Sequence, residues 1–88
     1  MRKKKSGDRP VAEELSEAEI NKILARIGKL IHSKRKARTT LESFAYEISI
    51  SRSAMNRYEA GGDMYLSTFV KLLHGLDISP EEFFREIK

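Results

Sequence analysis

The twenty residues 41–60 admit few folds, because they obey the packing rule of two short helices joined by a tight turn. With Leu41 counted as the first, the fifth position must be small, since the helices touch there, and it is Ala45. The fourth, eighth, tenth, fifteenth and eighteenth must be apolar to hold the crossing angle; they are Phe44, Ile48, Ile50, Met55 and Tyr58. The ninth lies in the turn and favours glycine for its positive φ. Ser49 stands there, and a non-glycine residue in that conformation costs on the order of 1 kcal/mol, which a folded domain tolerates. Such a pair of helices leaves the second free to enter the major groove of a duplex.

The flanks extend the helical reading in both directions. Ile20, Ile23, Leu24, Ile27, Leu30 and Ile31 recur at three- and four-residue spacings, one face of an amphipathic helix. Ser16 and Glu19 stand at capping-box spacing for its start, and the basic run at residues 34–38 marks its end. Thr39 and Glu42 repeat that spacing and predict the start of the second helix, with Phe44, Ala45 and Ile48 as its buried face. Ser51 is a suitable cap for a third helix from about Arg52 to Glu59, which Gly61 and Gly62 end. A fourth stripe follows at Leu66, Phe69, Val70, Leu72, Leu73 and Leu76. Ser79, Pro80, Glu81 and Glu82 combine a cap, a proline at the first helical position and acids in the first turn. Phe83, Phe84 and Ile87 are expected to cover the core from that last helix, with Tyr58 and Phe69 also inside. No segment alternates with period two, so the expected class is all-α.

At 88 residues the chain is one domain at most. It has no cysteine, hence no disulfide framework or thiolate metal site. No apolar run approaches the roughly 18 residues of a spanning helix, and no secretory signal opens the chain, so the expected setting is cytoplasmic, without a membrane partner. Charge is unevenly distributed. Residues 1–40 hold 12 Lys/Arg against 5 Asp/Glu, a net of +7; residues 41–88 hold 5 against 8, a net of −3. A basic half favours a polyanion, because each phosphate neutralised releases condensed counterions. Residues 1–12 read as a disordered basic arm and residues 13–88 as the folded domain. His32 and His74 stand without a second ligand at metal spacing, Glu81 and Glu82 form a helix start rather than a catalytic pair, and no nucleophile–base pair or phosphate-cradling glycine loop is present. An enzyme is not expected, and no cofactor is called for.

The blocks Thr40-Leu-Glu-Ser-Phe-Ala45 and Ile48-Ser-Ile-Ser-Arg-Ser-Ala-Met-Asn-Arg-Tyr-Glu-Ala-Gly61 resemble the Cro/C1-type (XRE-type) helix-turn-helix family of bacterial and phage regulators. Leu66-Ser-Thr-Phe69 and Leu72-Leu-His-Gly-Leu-Asp-Ile-Ser79 look like that family's fourth helix and the step into its fifth. The resemblance runs from about residue 30 to 84 and implies a five-helix, lambda-repressor-like DNA-binding domain whose third helix is the reading helix. Carried over residue by residue, Arg52, Ser53, Asn56 and Arg57 are the base-reading positions. Arginine can bond both acceptors of a guanine, and asparagine both groups of an adenine. Arg38, Thr40 and Ser51 fall where helix starts and turns meet phosphates. Glu59 is expected to pair internally with a basic residue of the first helix such as Arg35. Arg2, Lys3, Lys4 and Lys5 are candidate arm contacts to the minor groove or backbone. The chain departs from the family pattern in three places. Leu41 replaces a frequent glutamine, Gly62 and Asp63 replace a frequent basic residue, and the usual proline before the fourth helix is missing.

These readings converge on a sequence-specific DNA-binding transcriptional regulator, a repressor acting as a homodimer on a pseudo-palindromic site, encoded by a bacterium or phage and associated with the nucleoid. One short helix gives limited specificity, and two half-sites multiply it. The rival reading is an interaction module, an antitoxin or adaptor with a protein partner and secondary DNA binding.

Overall fold

The computed structural model describes residues 15–87, which form five helices and no strand. Helix α1 runs Glu17–Lys36, α2 Leu41–Glu47, α3 Arg52–Glu59, α4 Leu66–Leu76 and α5 Pro80–Glu86. The arm residues Arg2, Lys3, Lys4 and Lys5 lie outside the described residues. Among the described residues no helix is long and apolar enough to cross a membrane, and no three His, Cys, Asp or Glu side chains are grouped to hold a metal ion.

Local chemistry sets most of the helix boundaries. Ser16 and Glu19 cap α1 reciprocally: Ser16 Oγ accepts from the Glu19 N–H at 3.1 Å and Glu19 Oε1 from the Ser16 N–H at 2.9 Å. Ser79 and Glu82 repeat the device at α5, with Pro80 in the first turn where its missing N–H costs nothing. Ser51 Oγ caps α3 by accepting from the Ala54 N–H at 3.1 Å. At α2 the cap falls one residue later than the spacing predicts. Thr40 Oγ1 accepts from the Ser43 N–H at 3.2 Å, because the Thr39 N–H is already donated to the Arg35 carbonyl closing α1. Glu42 is thereby moved out of the capping position and onto the open surface of α2.

The turn between α2 and α3 places Ser49 at φ 59°, the left-handed conformation that the motif demands there. Ser49→Gly removes a strain of ~1 kcal/mol and returns part of it as added freedom of the unfolded chain. A thermal melt is expected to show a midpoint a few degrees higher; an unchanged or lower midpoint would refute the strain. Asp77, at φ 58°, ends α4 in the same conformation.

The core gathers Ile31 of α1, Phe44 of α2, Met55 of α3, Leu72 and Leu73 of α4 and Phe83 of α5, all fully buried. Ala45 is buried where α2 meets its neighbours. α1 and α3 approach most closely at Gly28. A β-carbon there would lie 2.6 Å from the Tyr58 carbonyl oxygen, 2.8 Å from that of Glu59 and 2.7 Å from the Gly61 nitrogen. One expected core residue is outside. Phe84 is 51% exposed, because neighbouring residues on a helix point about 100° apart and Phe83 takes the inward direction. Phe84 instead lies against the outer side of the aromatic cluster, its ring 5.4 Å from that of Phe83 and 5.7 Å from that of Phe69. Leu66, Val70, Ile20 and Ile23, read as part of buried faces, are also exposed.

Candidate nucleic-acid interface

Met55 is buried and Tyr58 half-buried on the inner side of α3, and this pins the orientation of its outer side. Arg52, Ser53, Asn56 and Arg57 are all exposed. Their spacing (i, i+1, i+4, i+5) sets two successive rungs on one helical face, with two guanidinium groups, an amide and a hydroxyl directed outward. The Arg57 guanidinium lies 5.4 Å from the centre of the Tyr58 ring, which braces it against the body of the domain.

Thr40 and Ser51, the two hydroxyls read as phosphate contacts, are both helix caps. Each oxygen accepts from its own helix, and its O–H remains a donor. Arg38 is set apart from them. Its Nη1 donates to the Leu76 carbonyl at 3.1 Å, satisfying one of the orphan acceptors at the end of α4. The structure therefore gathers the four α3 residues on one face, frames them with the caps of α2 and α3, and ties Arg38 to the C-terminal end of α4.

Glu42 is a member of this surface that the sequence reading missed. Its Oε2 accepts from Arg52 Nη1 at 2.9 Å, with both side chains about two-thirds exposed. Nothing in a separation of ten residues across a turn announces this contact. The shifted α2 cap produces it.

The C-terminal end of α3 is held by a buried charge cluster. Arg35 grips Glu59 with two bonds of 2.8 Å, Nε to Oε2 and Nη2 to Oε1. Its Nη1 donates to the Thr39 carbonyl at 3.1 Å, so one guanidinium joins α1, the following turn and α3. His32 Nδ1 is 2.7 Å from Glu59 Oε1. Burial pushes the Glu59 carboxyl up, but the bonds from Arg35 and His32 outweigh it and hold the group below its ordinary value. The bond to Glu59 raises the Arg35 guanidinium in turn, against the opposing effect of burial. The Arg35–Glu59 pairing expected from sequence is present. His32 adds to it, and its place one turn before Arg35 on the same face of α1 was the available signal.

No family model and no curated protein matches the chain. Among solved structures, the crystal structure of the restriction-modification controller protein C.AhdI from Aeromonas hydrophila is similar, with 30% sequence identity and a TM-score of 0.64. The likeness covers 69% of this chain and 96% of the controller. With five helices, the turn residue Ser49 in its left-handed conformation and that degree of identity, the chain belongs to the Cro/C1-type (XRE-type) helix-turn-helix family of DNA-binding transcriptional regulators.

Proposed function

We propose that this protein is a sequence-specific regulator, a repressor that binds a pseudo-palindromic site as a homodimer with α3 in the major groove. The observation that carries the proposal is the outward face of Arg52, Ser53, Asn56 and Arg57 on a helix anchored from behind by Met55, Tyr58 and Glu59. Arg52 and Arg57 suit guanine, Asn56 adenine, and Ser53 either partner at the groove edge. The free O–H groups of Thr40 and Ser51, together with Arg38, serve phosphates. The arm residues Arg2, Lys3, Lys4 and Lys5 add sequence-independent attraction that salt weakens. The setting is the cytoplasm of a bacterium, on its nucleoid. C.AhdI controls a restriction-modification system; the genes governed here follow from the site that selection recovers.

The test is selection of binding sequences from random duplexes at about 0.15 M salt, with Arg52→Ala/Arg57→Ala in parallel. A palindromic motif that the double variant loses is the expected result. Salt-sensitive binding with no motif, equal in the two proteins, would refute the reading. Arg52→Ala alone is expected to cost ~1–3 kcal/mol per half-site and to relax the preference at one base pair.

Glu42 bears on the same site. By neutralising Arg52 in the free protein it lowers attraction to arbitrary DNA, whose phosphates compete for that guanidinium. Glu42→Gln is expected to tighten binding to non-specific DNA several-fold, steepen the salt dependence by about one charge's worth and reduce the specificity ratio. Titration of both proteins with a selected and a scrambled duplex checks this, and unchanged non-specific affinity would remove Glu42 from the account.

A further inference from the structure

Two charged side chains stand where α2 meets α3, and they are tied to each other. Glu42 lies in the first turn of α2, and Arg52 opens α3. Glu42 Oε2 is 2.9 Å from Arg52 Nη1, with both side chains about two-thirds exposed. An ion pair so open to water adds little to stability. Its consequence lies in the groups that the pairing leaves open.

A guanidinium carries its N–H donors in a rigid planar fork. With Nη1 turned to Glu42, the edge formed by Nε and Nη2 remains, a pair of parallel donors that matches the O6 and N7 of guanine. The pairing therefore selects one edge of Arg52 and restricts the side chain before any duplex arrives, which lowers the entropy lost on binding. Glu42 keeps a second group of its own. Its Oε1 has no partner among the described residues, and a carboxylate can only accept. In the major groove such an acceptor matches the N4 amino group of cytosine. Thymine O4 and guanine O6 are acceptors, so either one set against Oε1 repels it. Successive base pairs are stacked ~3.4 Å apart, so a guanidinium and a carboxylate in contact suit neighbouring pairs.

We infer that Glu42 is a second specificity-determining residue. It stays paired with Arg52 on the duplex, holds Arg52 on a guanine and accepts from the N4 of a cytosine in the adjoining base pair. The inference rests on the proposal that α3 enters the major groove, and it adds a base contact supplied by α2.

The test is selection of binding sequences from random duplexes by the full chain, by Glu42→Ala and by Glu42→Gln, each variant first shown to be folded by its circular dichroism melt. The exposure of Glu42 makes all three proteins available for comparison. The unaltered chain is expected to recover a guanine next to a base pair whose cytosine lies on one fixed strand. Glu42→Ala should keep the guanine and lose the preference for cytosine. Glu42→Gln should turn that preference toward adenine, whose N6 and N7 an amide reads. Titration with synthetic duplexes measures the coupling directly. Exchanging the cytosine for thymine replaces a donor by an acceptor, and should weaken binding by the unaltered chain about tenfold but by Glu42→Ala less than about twofold. A motif with no cytosine beside the guanine would overturn the inference, as would identical motifs from the unaltered chain and Glu42→Ala. Either result leaves the regulator reading in place. Recovery of no motif by the unaltered chain would instead remove the regulator reading, and this inference with it.

Discussion

Glu59→Gln is expected to lower folding stability by about 3–5 kcal/mol, the cost of leaving a buried guanidinium without its counter-charge. A domain of this length has only about 4–13 kcal/mol in total, so the variant should be partly unfolded well below the wild-type midpoint. The effect is large because both partners are more than nine-tenths buried. Water cannot replace the lost carboxylate, and the third arm of Arg35 already holds the Thr39 carbonyl. Arg35→Met should cost a similar amount by stranding the carboxylate. Arg35→Met/Glu59→Leu should recover most of the loss, since a packed apolar pair of similar size avoids both desolvation penalties. Urea unfolding of the four proteins decides it, and a loss of under 1 kcal/mol in both single variants would remove the cluster from the account of stability.

The same pair has a pH signature. The folded carboxyl of Glu59 lies below its unfolded value. Its contribution is therefore complete above the unfolded value of about 4.3 and is lost as pH falls through the lower, folded one. As pH falls through that acid limb, the wild-type advantage over Glu59→Gln should shrink. Because Glu59 is the last residue of α3, the proposed DNA-reading role of that helix predicts that its loosened end also weakens binding to a selected duplex under conditions where the variant remains folded.

Gly28→Ala is expected to destabilise the domain by about 2–3 kcal/mol, against the sign of local propensity. In an open helix the exchange would gain ~1 kcal/mol. Here the new methyl group would lie 2.6–2.8 Å from three backbone atoms of the last turn of α3 and the residues just after it. Backbone cannot swing aside as a side chain can, so α1 and α3 must separate, and overpacking of this kind costs ~1–3 kcal/mol or more. The separation also stretches the Arg35–Glu59 bonds, whose donors and acceptors sit on the same two helices. A chemical denaturation midpoint at or above that of the wild type would show that the helices have room to move.

Much of this was legible in the chain because the signals are local. Ser16 with Glu19, Ser51, and Ser79 with Pro80 and Glu82 satisfy backbone groups within four residues of themselves, so their effect does not wait for the fold. The small Ala45 and the apolar residues around it read as a helix-turn-helix because the crossing of two adjacent helices is almost a local event. Arg52, Ser53, Asn56 and Arg57 could be placed on an outer face once Met55 and Tyr58 were assigned to the inner one. The pairing of Glu59 with Arg35 was legible only through family resemblance, since 24 residues separate the two.

What the fold alone decided are the competitions between equally good local choices. Thr39 and Thr40 both suit a cap, and Thr40 takes the role because α1 closes on Thr39. That outcome frees Glu42 to reach Arg52, and no pattern in the sequence contains it. Phe83 and Phe84 are alike in composition, and only the direction from which α4 meets α5 selects Phe83 for the core. Ile20 and Ile23 carry the same apolar signal as Ile31, yet α1 reaches past its partners and leaves them in solvent. Periodicity states that a face is apolar. Whether another surface is present to cover it is a property of three-dimensional packing, and burial, unlike a cap, has no local cause.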